Sequence, residues 1–143
     1  SFKNDKSPDR PLRVGLVSAD FHHQHPVNIF MQPVLARLDS RAVEVTMYFT
    51  GVSYDEQTQL AKRRVARWVE ATTWNDSQLA RRIEEDGIDI LLDLSGHTSM
   101  QRMSLFGQRA APVQRDCPTA CFALHLRPTT PTRTTARRTR SVP

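Results

Sequence analysis

Short aliphatic runs alternate along this chain with stretches in which apolar residues recur every three or four positions. Leu12-Arg13-Val14-Gly15-Leu16-Val17-Ser18 is one such run and Ile88-Asp89-Ile90-Leu91-Leu92-Asp93-Leu94 is another. Runs this short and this rich in aliphatic residues predict strands buried on both faces of a parallel sheet. Val43 to Thr50, closed by Gly51, predicts a further strand, and Trp68 to Ala71 a shorter one. Between them, Ile29, Phe30, Val34 and Leu38 recur at helical spacing and predict a helix from Val27 to Leu38, with Pro33 kinking it or marking its first turn. Asp55 to Arg67 predicts a second helix. A third is capped by Asn75 or Asp76, carries Leu79, Ala80 and Ile83, and ends at Asp86 before Gly87. Met103 to Arg109 predicts one more short helix before Pro112. Strand and helix in strict alternation is the order of an α/β fold with a doubly wound parallel sheet.

A chain of 143 residues suits one ordinary domain. Its net charge of +5 raises the question of an acidic partner, and the distribution answers it. Residues 1–114 hold 14 basic and 14 acidic side chains, whereas 115–143 hold six Arg and a single acid, Asp116. The excess therefore belongs to the tail, and the body shows no basicity that calls for nucleic acid. Cys117 and Cys121 also lie in the tail; their spacing is one residue wider than a redox pair, and no second pair completes a zinc site. The chain has no membrane-length apolar run and its start lacks a secretory apolar region, so a cytoplasmic protein is expected.

The candidate chemistry follows two of the strands. Leu12–Ser18 leads into Ala19-Asp20-Phe21-His22-His23-Gln24-His25-Pro26, and Ile88–Leu94 leads into Ser95-Gly96-His97-Thr98, so four of the five histidines lie in two loops. The carboxyl ends of parallel strands face one crevice, where such loops converge on a ligand. Asp20, His22, His23 and His25 are suitable metal ligands by type, but three near-adjacent rings need a special backbone path to meet one ion, and no metal is assigned. A solvent-facing loop and a histidine serving a ligand or a proton transfer are the other readings. His25 is the strongest candidate, because Pro26 restricts it to extended conformations. Gly96 permits a tight turn, and Thr98 offers a hydroxyl and a backbone N–H; the glycine-rich phosphate fingerprint is absent. Asp93 is read as a carboxylate shaping that loop before it is read as a catalytic acid. Trp68 and Trp74 are assigned to core packing, and Arg63-Arg64 and Arg81-Arg82 to solvated helix faces.

The segments LRVGLVSADFHHQHPV, EVTMYF and RRIEEDGIDILLDLSGHTSMQRMSLFGQRAAPVQ resemble, in order over residues 12 to 114, the start of the catalytic region of bacterial O-linked N-acetylglucosamine transferases, the SPINDLY-like family. D-G-I-D-I-L-x-D-L-x-G-H-T and A-P-V-Q are the specific parts. The resemblance implies a Rossmann-like parallel sheet flanked by helices, forming the first half of a two-domain GT-B glycosyltransferase usually preceded by tetratricopeptide repeats. It implies transfer of N-acetylglucosamine from a UDP sugar to Ser or Thr of acceptor proteins, without a cofactor or metal. His25 then matches a catalytic histidine before proline, with a role in acceptor positioning or proton transfer. Gly96, His97 and Thr98 match a substrate-binding loop beside the sugar and diphosphate, with Asp93 on the strand leading to it. His22 and His23 fall where no clear match is seen.

The resemblance stops after Gln114, where the family continues with a tryptophan, a glycine-proline turn and a donor-binding second domain. Here the last 29 residues contain seven Thr, six Arg and four Pro. Such a composition lacks a core and predicts a disordered or frameshifted tail over 115–143, after a linker at 1–10 and a domain at 11–114. The expected function is a fragment of a protein O-GlcNAc transferase, inactive alone for want of its donor-binding half. The alternatives are a non-enzymatic α/β ligand-binding module and non-specific nucleic-acid binding through the arginine tail.

Overall fold

The computed structural model describes residues 2–95 and 102–116. Its elements are β1 (Leu12–Ser18), α1 (Pro26–Arg37), β2 (Val43–Phe49), α2 (Glu56–Arg64), β3 (Arg67–Glu70), α3 (Asp76–Glu85), β4 (Ile90–Asp93), α4 (Met103–Gly107) and β5 (Val113–Asp116). All five strands are parallel and lie in the order β3-β2-β1-β4-β5. Successive side chains of a strand point to opposite faces, so Leu16 joins Val27, Met31, Leu35 and Ala61 under α1 and α2. Its neighbour Val17 joins Leu79, Ile83 and Leu105 under α3 and α4. The expected α/β sheet with helices on both faces is what forms. Among the described residues, no helix is long and apolar enough to cross a membrane.

The capping signals act as expected where they are strong. Asn75 accepts from the Gln78 amide while the Gln78 side chain accepts from the Asn75 amide, and Gly87 takes φ +64° after α3. Trp68 and Trp74 each pack at the margin of a buried cluster.

Three features depart from expectation. Helix α1 buries Val27, Met31 and Leu35 and leaves Ile29, Val34 and Leu38 exposed, because it is apolar on both sides and periodicity alone does not choose the inward face. Its buried face also carries Asn28 and Gln32, which bond to Gln57 of α2; Arg64 donates to the Gln32 carbonyl at 3.0 Å, so it is more than a solvated charge. A fifth strand, β5, adds Val113–Asp116 to the edge beside β4 and crosses the expected boundary at 114/115. Residues 117–143, with both cysteines and five of the tail's six arginines, lie outside the described residues.

The polar lead-in is tied to the amino end of the sheet. Asn4 Nδ2 donates to the carbonyls of Gly87 and Ile88 and to Asp89 Oδ1, and Arg10 grips both oxygens of Asp89 at 2.7 and 2.8 Å. The Arg10 guanidinium, helped by the Arg13 amide and Asn4, holds the Asp89 carboxyl well below the usual carboxylate range.

Candidate active site

The strand order reverses direction between β1 and β4, so the loops leaving these two neighbours flank a topological switch point, where open α/β sheets bind ligands. The two exits are laced together. The Leu94 amide donates to the Val17 carbonyl at 2.9 Å and the Ala19 amide to Ser95 Oγ at 3.2 Å. Asp93, 4% exposed, accepts the Ser95 amide at 2.9 Å. On the other side of β1, a Cβ at Gly51 would stand 2.4 Å from the Ala19 carbonyl oxygen, so only glycine allows β2 to end so close to the β1 exit. The candidate residues Gly96, His97 and Thr98 lie outside the described residues.

The loop after β1 takes the special path that its histidines require. Gln24 adopts φ 63°, a left-handed conformation, and the His25 amide donates back to the His22 carbonyl at 3.2 Å. This reversal brings the rings of His22 and His25 to 5.1 Å, and His25 Nε2 to 3.8 Å from Asp20 Oδ1. Ligand atoms of Asp20, His22 and His25 lie within 4.8 Å of one another. His23 is exposed and does not join them. The path is held from α2: Asp55 caps that helix through the Gln57 and Thr58 amides and accepts the His23 amide on its other oxygen. Thr58 Oγ1 donates to the Phe21 carbonyl at 2.6 Å. The amide of His23, and next those of the helix terminus, hold the Asp55 carboxyl below its ordinary value.

His25 is also the N-cap of α1, with its Nδ1 accepting from the Val27 amide at 3.3 Å. An imidazole nitrogen that accepts a hydrogen bond carries no proton, so the neutral ring is protonated at Nε2. Its Nε2 stands 3.8 Å from Asp20 Oδ1, too far for a hydrogen bond, so that N–H remains able to donate to a hydroxyl or phosphate oxygen. Asp20 is 8% exposed, and its Oδ2 has no hydrogen-bond partner among the described residues. A buried acceptor left unpaired costs about 1–3 kcal/mol, which a bound donor or cation would relieve.

Reasoning from sequence picked out Asp20 and His25 and missed Asp55, Thr58 and Ser95, which hold their loop. Asp55-x-x-Thr58 was the available signal, since an Asp followed three residues later by a hydroxyl can form a reciprocal cap at the start of a helix.

Known proteins are similar to this chain in sequence and in fold. The profile of glycosyl transferase family 41 matches residues 1–117. Two plant proteins named probable UDP-N-acetylglucosamine–peptide N-acetylglucosaminyltransferase SPINDLY are similar over 118 residues and 80% of this chain: the one from Arabidopsis thaliana at 32% identity and the one from Oryza sativa at 33%. The structure of a Thermobaculum terrenum O-GlcNAc transferase mutant, K341M, superposes with a TM-score of 0.75 at 37% identity, over 81% of this chain and 22% of that one. The chain spans 13% of the length of either plant relative. By the reach of the profile and by these relatives, the chain is homologous to protein O-GlcNAc transferases and belongs to glycosyl transferase family 41.

Proposed function

We propose that this domain forms one wall of the catalytic cleft of a protein O-GlcNAc transferase, with His25 as the catalytic residue nearest the reacting oxygens. The observation that carries the reading is the placement of His25 at the switch point of the sheet, its Nδ1 taken up by the Val27 amide and its Nε2 3.8 Å from the buried Asp20 carboxylate. In this role His25 donates to the oxygen of the acceptor hydroxyl or of the departing diphosphate. Asp20 sets the direction of the ring. Gly96, His97 and Thr98 contact the sugar and diphosphate of UDP-N-acetylglucosamine, and Asp93 holds the base of their loop. The kinship with protein O-GlcNAc transferases favours this reading over a non-enzymatic binding module or an arginine-tail nucleic-acid binder.

Transfer needs acceptor, donor and leaving group held in one geometry, and misplacing one of them forfeits most of the advantage. A single wall does not supply that geometry, so the 143-residue chain is expected to show no transfer from UDP-N-acetylglucosamine by itself. The test grafts residues 11–116 in place of the matching segment of the Thermobaculum terrenum enzyme and assays sugar transfer to an acceptor protein. Transfer by the chimera, reduced at least about 100-fold by His25→Ala, is the expected result for a proton-handling or proton-donating side chain. A His25→Ala chimera as active as its parent would remove His25 from the mechanism.

A further inference from the structure

We infer that Asp20, His22 and His25 form a binding site for a zinc-class divalent cation, and that the ion, once bound, silences His25. Three observations meet here. The ligand atoms of the three side chains already lie within 4.8 Å of one another, on a loop whose backbone is clamped by Asp55 and Thr58. Ligands around a tetrahedral zinc, each about 2.0–2.2 Å from the metal, stand about 3.3–3.5 Å apart, so side-chain rotation closes the gap without unfolding the loop. Asp20 Oδ2 is buried and unpartnered among the described residues, so this carboxylate keeps lone pairs that no described group uses. Finally, His22 Nδ1 lies 3.4 Å from the His23 carbonyl, so its proton is drawn to that nitrogen and the Nε2 lone pair is left for a metal.

Two imidazoles and one carboxylate select a borderline ion such as Zn²⁺ or Co²⁺ over Mg²⁺ or Ca²⁺, which prefer a shell of oxygens. The fourth position remains open to water. Coordination through His25 Nε2 moves that ring's proton to Nδ1, where it can no longer accept from the Val27 amide. Binding therefore releases the cap of α1 and blocks the donor on which the proposed transfer depends. Only this inhibitory consequence rests on the proposed function; the binding itself does not.

The experiment titrates the full chain, carrying Cys117→Ser and Cys121→Ser so that its thiols cannot bind the probe, with Co²⁺ followed by Zn²⁺. The expected result is one equivalent of Co²⁺ with visible absorption of low-coordinate geometry, displaced by one equivalent of Zn²⁺, and a shift of the Val27 amide resonance. His22→Asn and Asp20→Asn each weaken binding at least about tenfold, since even an outer-shell partner is worth 10–100-fold; His23→Asn leaves it unchanged. Absence of one-equivalent binding overturns the site, as does equal weakening by His22→Asn and His23→Asn in chains whose far-ultraviolet dichroism matches the parent. Metal binding without inhibition of the chimera described above would leave the site standing and count against the role given to His25.

Discussion

Asp89 and Asp20 sit at opposite ends of one sheet with nearly the same side-chain exposure, 12% and 11%, and are treated in opposite ways. At the amino end, Asp89 accepts from Arg10, Asn4 and the Arg13 amide, and both of its oxygens are filled. At the carboxyl end, Asp20 has a histidine at 3.8 Å on one oxygen and no partner among the described residues on the other. Burial of a carboxylate is costly at either place, so the difference lies in what offsets it. The amino end offsets it inside the chain and gains stability; the carboxyl end leaves it open and keeps the capacity to bind.

The sharpest way to break this comparison is to remove the filled carboxylate. Asp89→Ala leaves Arg10 and Asn4 without their shared acceptor and is expected to cost about 1.5–3 kcal/mol, the range for hydrogen bonds to charged groups. Denaturant midpoints of the variant and the parent read it directly. The same group gives a pH signature. Because Arg10 lowers the folded-state value of Asp89 beneath the unfolded one, its stabilisation is complete above the unfolded value of about 4 and fades as pH falls toward the folded value. Stability should therefore drop more steeply from pH 4 downward in the parent than in Asp89→Asn. Parallel curves would show that the latch does not couple to folding.

A smaller effect is expected from the clamp that shapes the open end. Thr58→Val removes the bond to the Phe21 carbonyl and Asp55→Ala removes both the helix cap and the hold on the His23 amide. Each should cost about 0.5–2 kcal/mol, the span of a lost N-cap for Asp55→Ala and of a lost hydrogen bond for Thr58→Val. The informative readout is local: the nuclear Overhauser contact between the His22 and His25 rings, 5.1 Å apart in the parent, should weaken in both variants. Its survival in Asp55→Ala would mean that the left-handed Gln24, rather than α2, fixes the path.

How much of this was legible beforehand follows the range of the interactions. β1 and β4 are aliphatic runs, β2 is a short run of β-branched and aromatic residues, and the α3 cap is a local pairing of Asn75 with Gln78, so each is readable within a few residues of sequence. β5 is four residues at a sheet edge, follows Pro112 and leaves Val113 46% exposed, so no buried run marks it. Arg10 and Asp89 are 79 positions apart, and a polar lead-in gives no sign of a partner that distant. The histidine loop was legible in its residue types and not in its shape. Gln24 is not a residue that announces a left-handed turn, yet that turn decides that His22 joins His25 while His23 does not.

The smallest expected change is the one that tests the open end itself. Asp20→Asn keeps the size of the side chain, removes the charge and puts an amide where an unpartnered oxygen sits. If the carboxylate is retained for binding rather than for folding, its loss costs little. The unfolding free energy should stay within about 0.5 kcal/mol of the parent or rise, as happens when a site kept for function at the expense of stability is relaxed. Oxygen Oδ1 loses an ion pair that exists only when His25 is protonated, and at 3.8 Å it is a long one. A loss of 2 kcal/mol or more, comparable with Asp89→Ala, would make Asp20 a structural carboxylate after all, and the two ends of the sheet would then differ only in which partners they use.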